Sequence, residues 1–411
     1  MTTKPTVALV YFNAGGGHRA AAQALQALIA QQQRGWEVQL VNLFEVLDPK
    51  GRFKQLTGAA PEDFYNKRLA RGWTLGMAQE LKMLQRAIRF FHESIVEILQ
   101  QHWLATEPDL VVSLVPNFNR ALCASVNASL PGVPFATVLT DMADLPPRFW
   151  IERGSSGYSQ HIVCGTPRAL TQARAAGHPD ERLSLVSGMV LRPSFYGPRL
   201  ADPAAARRAL GLDPARPTGI VMFGGQGSMQ MLKIAKALKG EQLILMCGHN
   251  AKLARRLQAQ IQDLDAPHAV VGFTAQVAEH LEMADYFIGK PGPGCLSEAL
   301  HLGLPVITTG GRGTMPQERY NAQWVRETGV GLVLDTMRGI GGATAEMLAR
   351  LPAFQARVQA LDNRAVFEVV DIFDALMKRA AGLDLPLPQF ASDSSASRLV
   401  ETTGAGLGSR A

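Results

Sequence analysis

The chain contains 411 residues, of which 47% are hydrophobic and 18% are charged, and its formal net charge is +6. One hydrophobic core rarely organises so long a chain, so we expect two domains of roughly 200 residues each. This composition excludes a chain that is disordered throughout. The modest positive charge suits phosphate-bearing ligands, an anionic membrane or nucleic acid, and by itself it excludes none of these partners.

Short apolar runs alternate with helical patterns through the first half of the chain. The first predicted strand, residues 6–12, leads through a glycine loop into a helix at 18–32, and a second strand follows at 37–43. Later strands are predicted at 110–114, 135–139 and 162–164. This alternation predicts a parallel sheet with helices on both faces, as in doubly wound α/β domains.

The α/β pattern stops at a proline-rich stretch and then restarts. Pro193, Pro198 and Pro203 interrupt a polar segment, so we predict a first domain at 1–192 and a linker at 193–203. Strands predicted at 219–223, 242–247, 269–271, 286–288, 305–308 and 331–334 place a second doubly wound domain at 204–384. Residues 385–411 are small, polar and glycine-rich, and we expect a disordered tail.

Two further classes of protein are excluded by simple patterns. The four cysteines, Cys123, Cys164, Cys247 and Cys295, are widely spaced, which argues against a zinc cluster or a disulfide framework and favours reduced thiols in the cytoplasm. No run approaches the roughly 18–20 apolar residues of a membrane-spanning helix, so any membrane contact is expected to be peripheral.

Residues 51–103 are the candidate for such a contact. Apolar residues recur at helical spacing from Met77 to His102, and basic residues lie beside them. Upstream, aromatic and basic side chains are interspersed: Phe53, Lys54, Phe64, Lys67, Arg68, Arg71 and Trp73. The segment could lie on an anionic bilayer, and a core helix with a solvated basic flank is the alternative for the helix itself.

The first glycine loop, Gly15, Gly16 and Gly17, lies between the first strand and the first helix. Its glycines allow close approach of the backbone to a ligand, and the helix start supplies free N–H groups. It lacks the G-K-[ST] of a Walker loop and the third glycine of G-x-G-x-x-G. His18 follows at once and is placed for proton transfer, although the loop could be only a tight strand-to-helix turn.

Asp141 follows the strand predicted at 135–139. Ligands of open α/β sheets bind beyond the carboxyl ends of strands, so this carboxylate is expected near the glycine loop. It is a candidate catalytic base, and a turn or helix-capping acid is the alternative. The neighbouring Asp144 does not complete a D-x-D motif, so a metal-chelating arrangement is not supported.

Three further segments lie in the second domain. Gly224, Gly225, Gly227 and Ser228 form a glycine loop after its first strand, and Gly292, Pro293 and Gly294 open a helix whose start is predicted to hold a diphosphate. Glu298 lies one turn inside that helix, where it could accept ribose hydroxyls or serve only the helix dipole. Gln317 and Glu318 have the donor and acceptor groups that sugar hydroxyls require, although the start of an amphipathic helix would look the same.

These motifs, in this order, resemble the GT-B glycosyltransferases that include the monogalactosyldiacylglycerol synthases and, more distantly, the peptidoglycan lipid-linked N-acetylglucosaminyltransferase. The resemblance spans roughly residues 6 to 380. It rests on N-A-G-G-G-H-R, G-G-Q-G-S, G-K-P-G-P-G-C-L-S-E-A and P-Q-E-R-Y-N. It implies two Rossmann-like domains with an interdomain cleft.

The resemblance also implies a function. It implies inverting, metal-independent transfer of a hexosyl group from a UDP-sugar to a lipid such as diacylglycerol, with no cofactor and no nucleic-acid partner. The enzyme is expected in the cytoplasm, peripheral on the inner face of an anionic membrane.

Site roles follow from the same resemblance. Asp141 is the implied base, with His18 assisting it, and Gly15 to Gly17 lie on the acceptor side. On the donor side, the two glycine segments of the second domain hold the diphosphate, Gly272 and Phe273 contact uracil, Glu298 contacts ribose, and Gln317 with Glu318 contacts the sugar.

One departure separates this chain from the galactolipid synthases. They carry a histidine five positions after the T-D aspartate, where this chain has Pro146, so His18 is the imidazole nominated beside Asp141. Asp144 is a further candidate for the base role. The alternatives at this stage are a UDP-sugar epimerase and a non-catalytic nucleotide-binding partner of another transferase.

Overall fold

The computed structural model describes residues 4–13, 16–51, 55, 77–145, 148–154, 159–383 and 385–390. The described chain divides into two compact units. One comprises the described residues up to Pro193 together with those from Asn363 onward, and the other comprises Ser194–Asp362. The predicted membrane-facing residues Phe53, Lys54, Phe64, Lys67, Arg68, Arg71 and Trp73 lie outside the described residues, as does Gly15.

The first unit is built on a parallel sheet. Its described strands are β1 (Thr6–Tyr11), β2 (Glu37–Asn42), β3 (Leu110–Ser113), β4 (Phe135–Val138), β5 (His161–Cys164) and β6 (Leu183–Leu185), in the spatial order β2-β1-β3-β4-β5-β6. The strands β3, β4 and β5 are buried along their whole length. Burial on both faces explains why these strands read as continuous apolar runs in the sequence.

Helices cover this sheet. They are α1 (Gly17–Gln31), α2 (Leu43–Leu47), α3 (Met77–Phe90), α4 (His92–Thr106), α5 (Asn119–Ser129), α6 (Pro167–Ala175) and, from the end of the chain, α15 (Ala365–Ala380). The buried face of α1 consists of alanine, leucine and isoleucine at helical spacing, which packs the helix on the sheet.

The second unit repeats the architecture. Its described strands are β7 (Thr218–Met222), β8 (Gln242–Met246), β9 (His268–Val271), β10 (Tyr286–Gly289), β11 (Val306–Thr309) and β12 (Gly331–Leu334), in the spatial order β12-β11-β10-β7-β8-β9. Its helices are α7 (Pro203–Ala209), α8 (Gln230–Ala237), α9 (Ala251–Gln260), α10 (Val277–Glu282), α11 (Pro293–His301), α12 (Arg319–Thr328), α13 (Ile340–Ala349) and α14 (Leu351–Gln359). All its strand pairs are parallel. The predicted α/β class with two doubly wound domains is therefore confirmed.

The domain assignment of the last helix differs from the prediction. Helix α15 was predicted within the second domain at 204–384, but it packs in the first unit. Asp371 pairs with Arg34, which lies just after the end of α1, and Glu368 accepts a hydrogen bond from the backbone of Ser187 at 2.7 Å. Helix α15 has a buried apolar face, as the helices of the second unit do, so its sequence could not reveal which sheet it covers.

The predicted linker at 193–203 and the predicted tail also differ in part. Phe195 is 3% exposed, and the backbone N–H of Leu200 donates to Glu282 at 2.6 Å, so this stretch is anchored in the second unit. Residues 385–390 of the predicted tail are described and contain the buried Leu387, while 391–411 lie outside the described residues.

The apolar pattern between Met77 and His102 belongs to two helices, not to one continuous face. The break falls at Phe91, between α3 and α4. Ile88, Leu99 and Trp103 are buried, whereas Leu84, Phe91 and Ile98 of the predicted face are exposed. Among the described residues, no helix is long and apolar enough to cross a bilayer.

Candidate active site

Both sheets have a point where the strand order reverses. In the first unit the reversal lies between β1 and β3, and in the second it lies between β7 and β10. At such a point the loops leave neighbouring strands in opposite directions and open a crevice at the carboxyl ends, where ligands of open α/β sheets bind. The loop before His18 follows β1, and the segments 223–228 and 290–294 follow β7 and β10.

His18 lies in the first turn of α1, beside the end of β4. Gly16 precedes this helix with φ +81°, a left-handed conformation that favours glycine, and Gly16 and Gly17 are exposed. The Nδ1 atom of His18 lies 3.1 Å from Oγ1 of Thr140. Burial lowers the pKa of His18 to about 4, and a hydrogen bond with the backbone of Leu114 opposes this shift. The imidazole is therefore neutral at pH 7.

Asp141 is 7% exposed and follows directly on Thr140. Its Oδ2 atom accepts a hydrogen bond from the indole Nε1 of Trp150 at 2.8 Å. The Trp150 ring also lies 5.8 Å from the His18 ring, measured between centroids. The structure thus brings together the two residues predicted to be catalytic, and Trp150 contacts both of them.

Asp144 contacts the backbone of the segment that carries Trp150. Its Oδ1 atom accepts a hydrogen bond from the backbone N–H of Trp150 at 2.6 Å. Burial raises the pKa of Asp144 to about 6, and hydrogen bonds from the backbone of Trp150, Ile151 and Phe149 oppose the rise. This carboxyl group holds the segment that carries Trp150, so it positions the cluster.

In the second unit, the loop after β7 is a tight turn. Gly224 has φ +79° and Gly227 has φ +59°, and the backbone N–H of Gly227 donates to the Gly224 carbonyl at 3.0 Å. The Oγ atom of Ser228 accepts from the N–H of Gln230 at 3.3 Å, at the start of α8. A side chain on Gly225 would meet no atom within 4 Å, so the backbone here is open to a ligand.

The loop after β8 supports this turn. Gly248 has φ +56°, and a Cβ atom there would lie 2.2 Å from the Gly225 carbonyl oxygen. The N–H of His249 donates to the same oxygen at 2.8 Å. The His249 ring stacks on Phe273 with centroids 3.9 Å apart and planes at 20°. Phe273, which follows Gly272 after β9, is 65% exposed and presents a flat aromatic surface.

The segment after β10 begins α11. Gly292 is the N-cap, Pro293 is the first helical residue, and the exposed Gly294 follows, so the first N–H groups of the helix are available to an anion. Glu298 is half-buried one turn further on. Burial and the nearby Glu298 carboxylate raise the pKa of the Cys295 thiol to about 12.

Lys290 provides a cation at the same strand end. Its Nζ atom lies 2.9 Å from Oε1 of Glu318, which is 4% exposed. Glu318 was predicted to contact the sugar, and in the structure its carboxylate holds Lys290. Gln317, its half-buried neighbour, lies with its Nε2 atom 3.8 Å from the Met315 sulfur.

Three residues of these clusters were missed by the sequence reasoning: Trp150, His249 and Lys290. Lys290 lies within a motif that was selected for its glycines, and His249 follows a glycine at a strand end, so both had a local signal. Trp150 had no local signal in the sequence, because its contact with Asp141 forms only when the loop after Asp141 folds back on itself. Among the described residues, no group of three or more His, Cys, Asp or Glu side chains could hold a metal ion.

Part of the chain matches a known protein family, and most of it is similar to known enzymes. Residues 220–340 match the glycosyltransferase family 28 C-terminal domain. The chain is 27% identical over 402 residues to monogalactosyldiacylglycerol synthase 1, chloroplastic, of Arabidopsis thaliana, covering 92% of this chain and 72% of the relative. It is also 27% identical over 403 residues to monogalactosyldiacylglycerol synthase of Spinacia oleracea, covering 91% and 73%.

Solved structures agree on the fold. The crystal structure of Acinetobacter baumannii MurG aligns with a TM-score of 0.57 at 14% identity, covering 91% of this chain and all of that chain. The chain has the GT-B fold. A putative UDP-N-acetylglucosamine 2-epimerase from Listeria monocytogenes aligns with a TM-score of 0.56 at 13% identity. At these identities the two likenesses concern the fold alone.

The expectation that this chain is a UDP-sugar-dependent hexosyltransferase is confirmed by the match to the glycosyltransferase family 28 C-terminal domain and by the similarity to the monogalactosyldiacylglycerol synthases. The comparisons identify no site residue. The roles of Asp141 and His18 in this glycosyltransferase therefore depend on the chemistry of their surroundings.

Proposed function

We propose that this glycosyltransferase transfers a hexosyl group from a UDP-sugar to a lipid acceptor, diacylglycerol or a similar lipid, with inversion at the anomeric carbon. Binding of the UDP-sugar donor is supported by the reversal point between β7 and β10, where two glycine turns and a helix N-terminus lie at neighbouring strand ends. Such a point suits a nucleotide diphosphate, because backbone N–H groups and the helix dipole favour a negative charge.

The donor side is proposed as follows. Backbone groups of Gly224 to Ser228 and Gly292 to Gly294 hold the diphosphate, and Lys290 adds a positive charge beside them. Gly272 and Phe273 contact the uracil ring, for which the exposed Phe273 ring offers a stacking surface. Glu298 accepts the ribose hydroxyls. Gln317 remains a proposed sugar contact, and Glu318 acts on the donor by holding Lys290.

The chemical step is a direct displacement. An acceptor hydroxyl oxygen forms a bond to the anomeric carbon while the bond from that carbon to the UDP oxygen breaks, and UDP leaves with the bonding electrons. Asp141 takes the hydroxyl proton as general base. His18, neutral at pH 7, orients the hydroxyl. The charge on departing UDP is offset by donors fixed in advance and by Lys290, without a metal ion.

Support for a lipid acceptor comes from the first unit and from the relatives. Met83, Leu84, Phe90 and Phe91 of the α3–α4 region are exposed, with Phe90 83% exposed. Exposed Lys82, Arg86 and Arg89 lie among them on α3. Apolar side chains surrounded by basic ones favour contact with an anionic bilayer. We therefore propose peripheral binding to the cytoplasmic face of a membrane, near a lipid substrate.

The test of this function is UDP release from a panel of UDP-sugars, with and without diacylglycerol in anionic vesicles. We expect release with one donor only when the lipid is present, and its loss in Glu298→Ala. Release without acceptor dependence, or conversion of the sugar while it stays attached to UDP, would favour an epimerase. No reaction with any donor, combined with tight UDP binding, would favour a non-catalytic partner.

Two further measurements separate parts of the proposal. Asp141→Asn should abolish turnover and retain UDP affinity, and unchanged turnover would exclude Asp141 as the base. Chelation of divalent metals with EDTA should leave UDP release unchanged.

Membrane contact is tested with Phe90→Ser. The variant should bind anionic vesicles more weakly than the wild-type enzyme, whereas Leu383→Ser, which changes another exposed apolar residue, should not. Equal binding by both variants and the wild type would contradict contact through α3–α4.

A further inference from the structure

Positive charge is concentrated on the outer surface of two helices in the second unit. Between residues 219 and 262 the chain has six basic residues and one acidic residue, so this stretch holds most of the formal net charge of +6. Helices α8 and α9 contain no acidic residue and carry five of the six basic ones: Lys233, Lys236, Lys252, Arg255 and Arg256. We infer that these five residues, the α8–α9 surface, bind the anionic face of a lipid bilayer.

The two helices lie side by side on one face of the second sheet. Helix α8 connects β7 to β8 and α9 connects β8 to β9, and right-handed crossovers in the same direction place both helices on the same face. Met231 and Ile234 of α8 belong to the same buried cluster as Leu253 and Leu257 of α9. The opposite side of each helix therefore meets solvent, and all five basic residues are exposed there.

The charges of this surface are not neutralised by neighbouring carboxylates. Two basic residues close to it are paired, Lys239 with Asp265 at 3.0 Å and Arg350 with Glu346 at 2.6 Å. By contrast, none of the five basic residues of α8 and α9 forms an ion pair within the described part of the chain. Surfaces that only need to be soluble usually intersperse both signs of charge. A surface of one sign attracts a partner of the opposite sign.

The composition of the α8–α9 surface favours a bilayer as that partner. Neither helix contains an aromatic residue, so the surface lacks the stacking groups with which proteins bind single-stranded nucleic acid. It also lacks the aromatic anchors that dominate the binding energy of protein–protein interfaces. An anionic bilayer requires neither, because basic residues beside it are attracted by its negative surface potential alone.

This contact differs in kind from the one proposed for α3–α4 in the first unit. There Phe90 is 83% exposed and offers an apolar group to the bilayer, whereas the only exposed large apolar residue described on α8 or at its start is Met229, at 39%. Binding through α8–α9 is therefore electrostatic, and salt should weaken it, since charges are screened within about 10 Å at 0.1 M salt and about 3 Å at 1 M. The inference rests on the proposed function in one respect: a lipid acceptor brings the enzyme to a membrane.

The experiment measures vesicle binding by the full-length enzyme. Vesicles of phosphatidylcholine, alone or mixed with phosphatidylserine, are sedimented with the protein at about 0.1 M salt. Each basic residue beside an anionic surface contributes a factor of about five, so Arg255→Gln/Arg256→Gln should weaken binding to the mixed vesicles about thirtyfold. The matched control is Arg326→Gln/Arg338→Gln, which removes two exposed arginines of the second unit outside α8 and α9.

The control separates a defined surface from the overall charge of the protein, because both double variants lower the net charge equally. Weaker binding by Arg255→Gln/Arg256→Gln, with binding retained in the control, would support the surface. Equal weakening by both variants would reduce the effect to net charge and overturn the proposal, as would wild-type binding by Arg255→Gln/Arg256→Gln. Binding to a short DNA duplex as tight as to the mixed vesicles would also overturn it, because the surface would then have only a general affinity for polyanions.

A salt series separates the α8–α9 contact from the α3–α4 contact. At about 1 M salt the wild type and Arg255→Gln/Arg256→Gln should bind the mixed vesicles equally, whereas Phe90→Ser should remain weaker than both. A thirtyfold difference that persists at high salt would contradict electrostatic binding through α8–α9. No sugar transfer is measured, so failure of this surface would leave the proposed reaction intact, and absence of UDP release would leave the result for the surface unchanged.

Discussion

The indole of Trp150 donates to the Asp141 carboxylate over 2.8 Å, and Trp150→Phe removes this donor while keeping a buried aromatic ring. A hydrogen bond to a charged group contributes about 1.5–3 kcal/mol to the state that contains it. Without the bond the ionised carboxylate is less stable. At about 1.4 kcal/mol per pH unit, the acid limb of the kcat/KM profile should move upward by about one to two units.

The assay is UDP release followed from about pH 3 to about 9, a range that contains the acid limb of a carboxylate base before and after the displacement. Trp103→Phe is the matched control, since Trp103 is equally buried and donates its Nε1–H over the same 2.8 Å to the neutral hydroxyl of Ser125. Both variants should lose a similar free energy of unfolding, roughly 1–3 kcal/mol. Only Trp150→Phe should move the acid limb. An unmoved limb, or equal movement in both variants, would refute the assignment of Asp141 as the base.

Three other substitutions follow from the structure. Lys290→Met should raise the KM for the donor and, because it removes the cation beside the buried Glu318 carboxylate, lower the free energy of unfolding by about 1–3 kcal/mol. Lys290→Met/Glu318→Gln should recover the stability and not the KM, and recovery of both would argue against a role for Lys290 in donor binding. Gly248→Ala should lower the free energy of unfolding by about 1–3 kcal/mol and weaken UDP binding, because the φ of +56° and the nearby Gly225 carbonyl both oppose a Cβ atom. The control is Gly240→Ala, where a Cβ atom would meet nothing within 4 Å, and it should be nearly neutral in calorimetry of UDP binding and in urea unfolding. Between pH 6.5 and about 4 the unfolded chain takes up a proton at His18 that the native state does not, so the free energy of unfolding falls as the pH drops through this window. In urea unfolding, His18→Gln should remove up to about 2 kcal/mol of the loss between pH 7.5 and 5, and parallel losses in the variant and the wild type would contradict this expectation.

Much of the architecture could be predicted from local sequence signals. Parallel strands buried on both faces produce short apolar runs, and each helix between them has its own periodicity. Glycines at the strand ends marked the turns of Gly224 and Gly227, whose positive φ angles explain the residue type. Because the carboxyl ends of parallel strands share one edge of a sheet, the placement of His18 and Asp141 near each other also followed.

Other features were decided by tertiary structure alone. Trp150 beside Asp141, Lys290 beside Glu318 and α15 beside α1 are contacts between segments that are separated in sequence. The order of the strands, and with it the position of each reversal point, is likewise a property of the folded sheet.

The physical reason for this division is the range of the interactions. Periodicity and turn chemistry act over a few residues and leave a pattern that can be read along the chain. A buried ion pair or the docking of an apolar helix depends on which surfaces meet, and the same side chains would produce the same local pattern against any partner. The sequence by itself determined which elements form and where glycine turns end the strands, and only the folded structure decided which charged and aromatic groups complete each cluster.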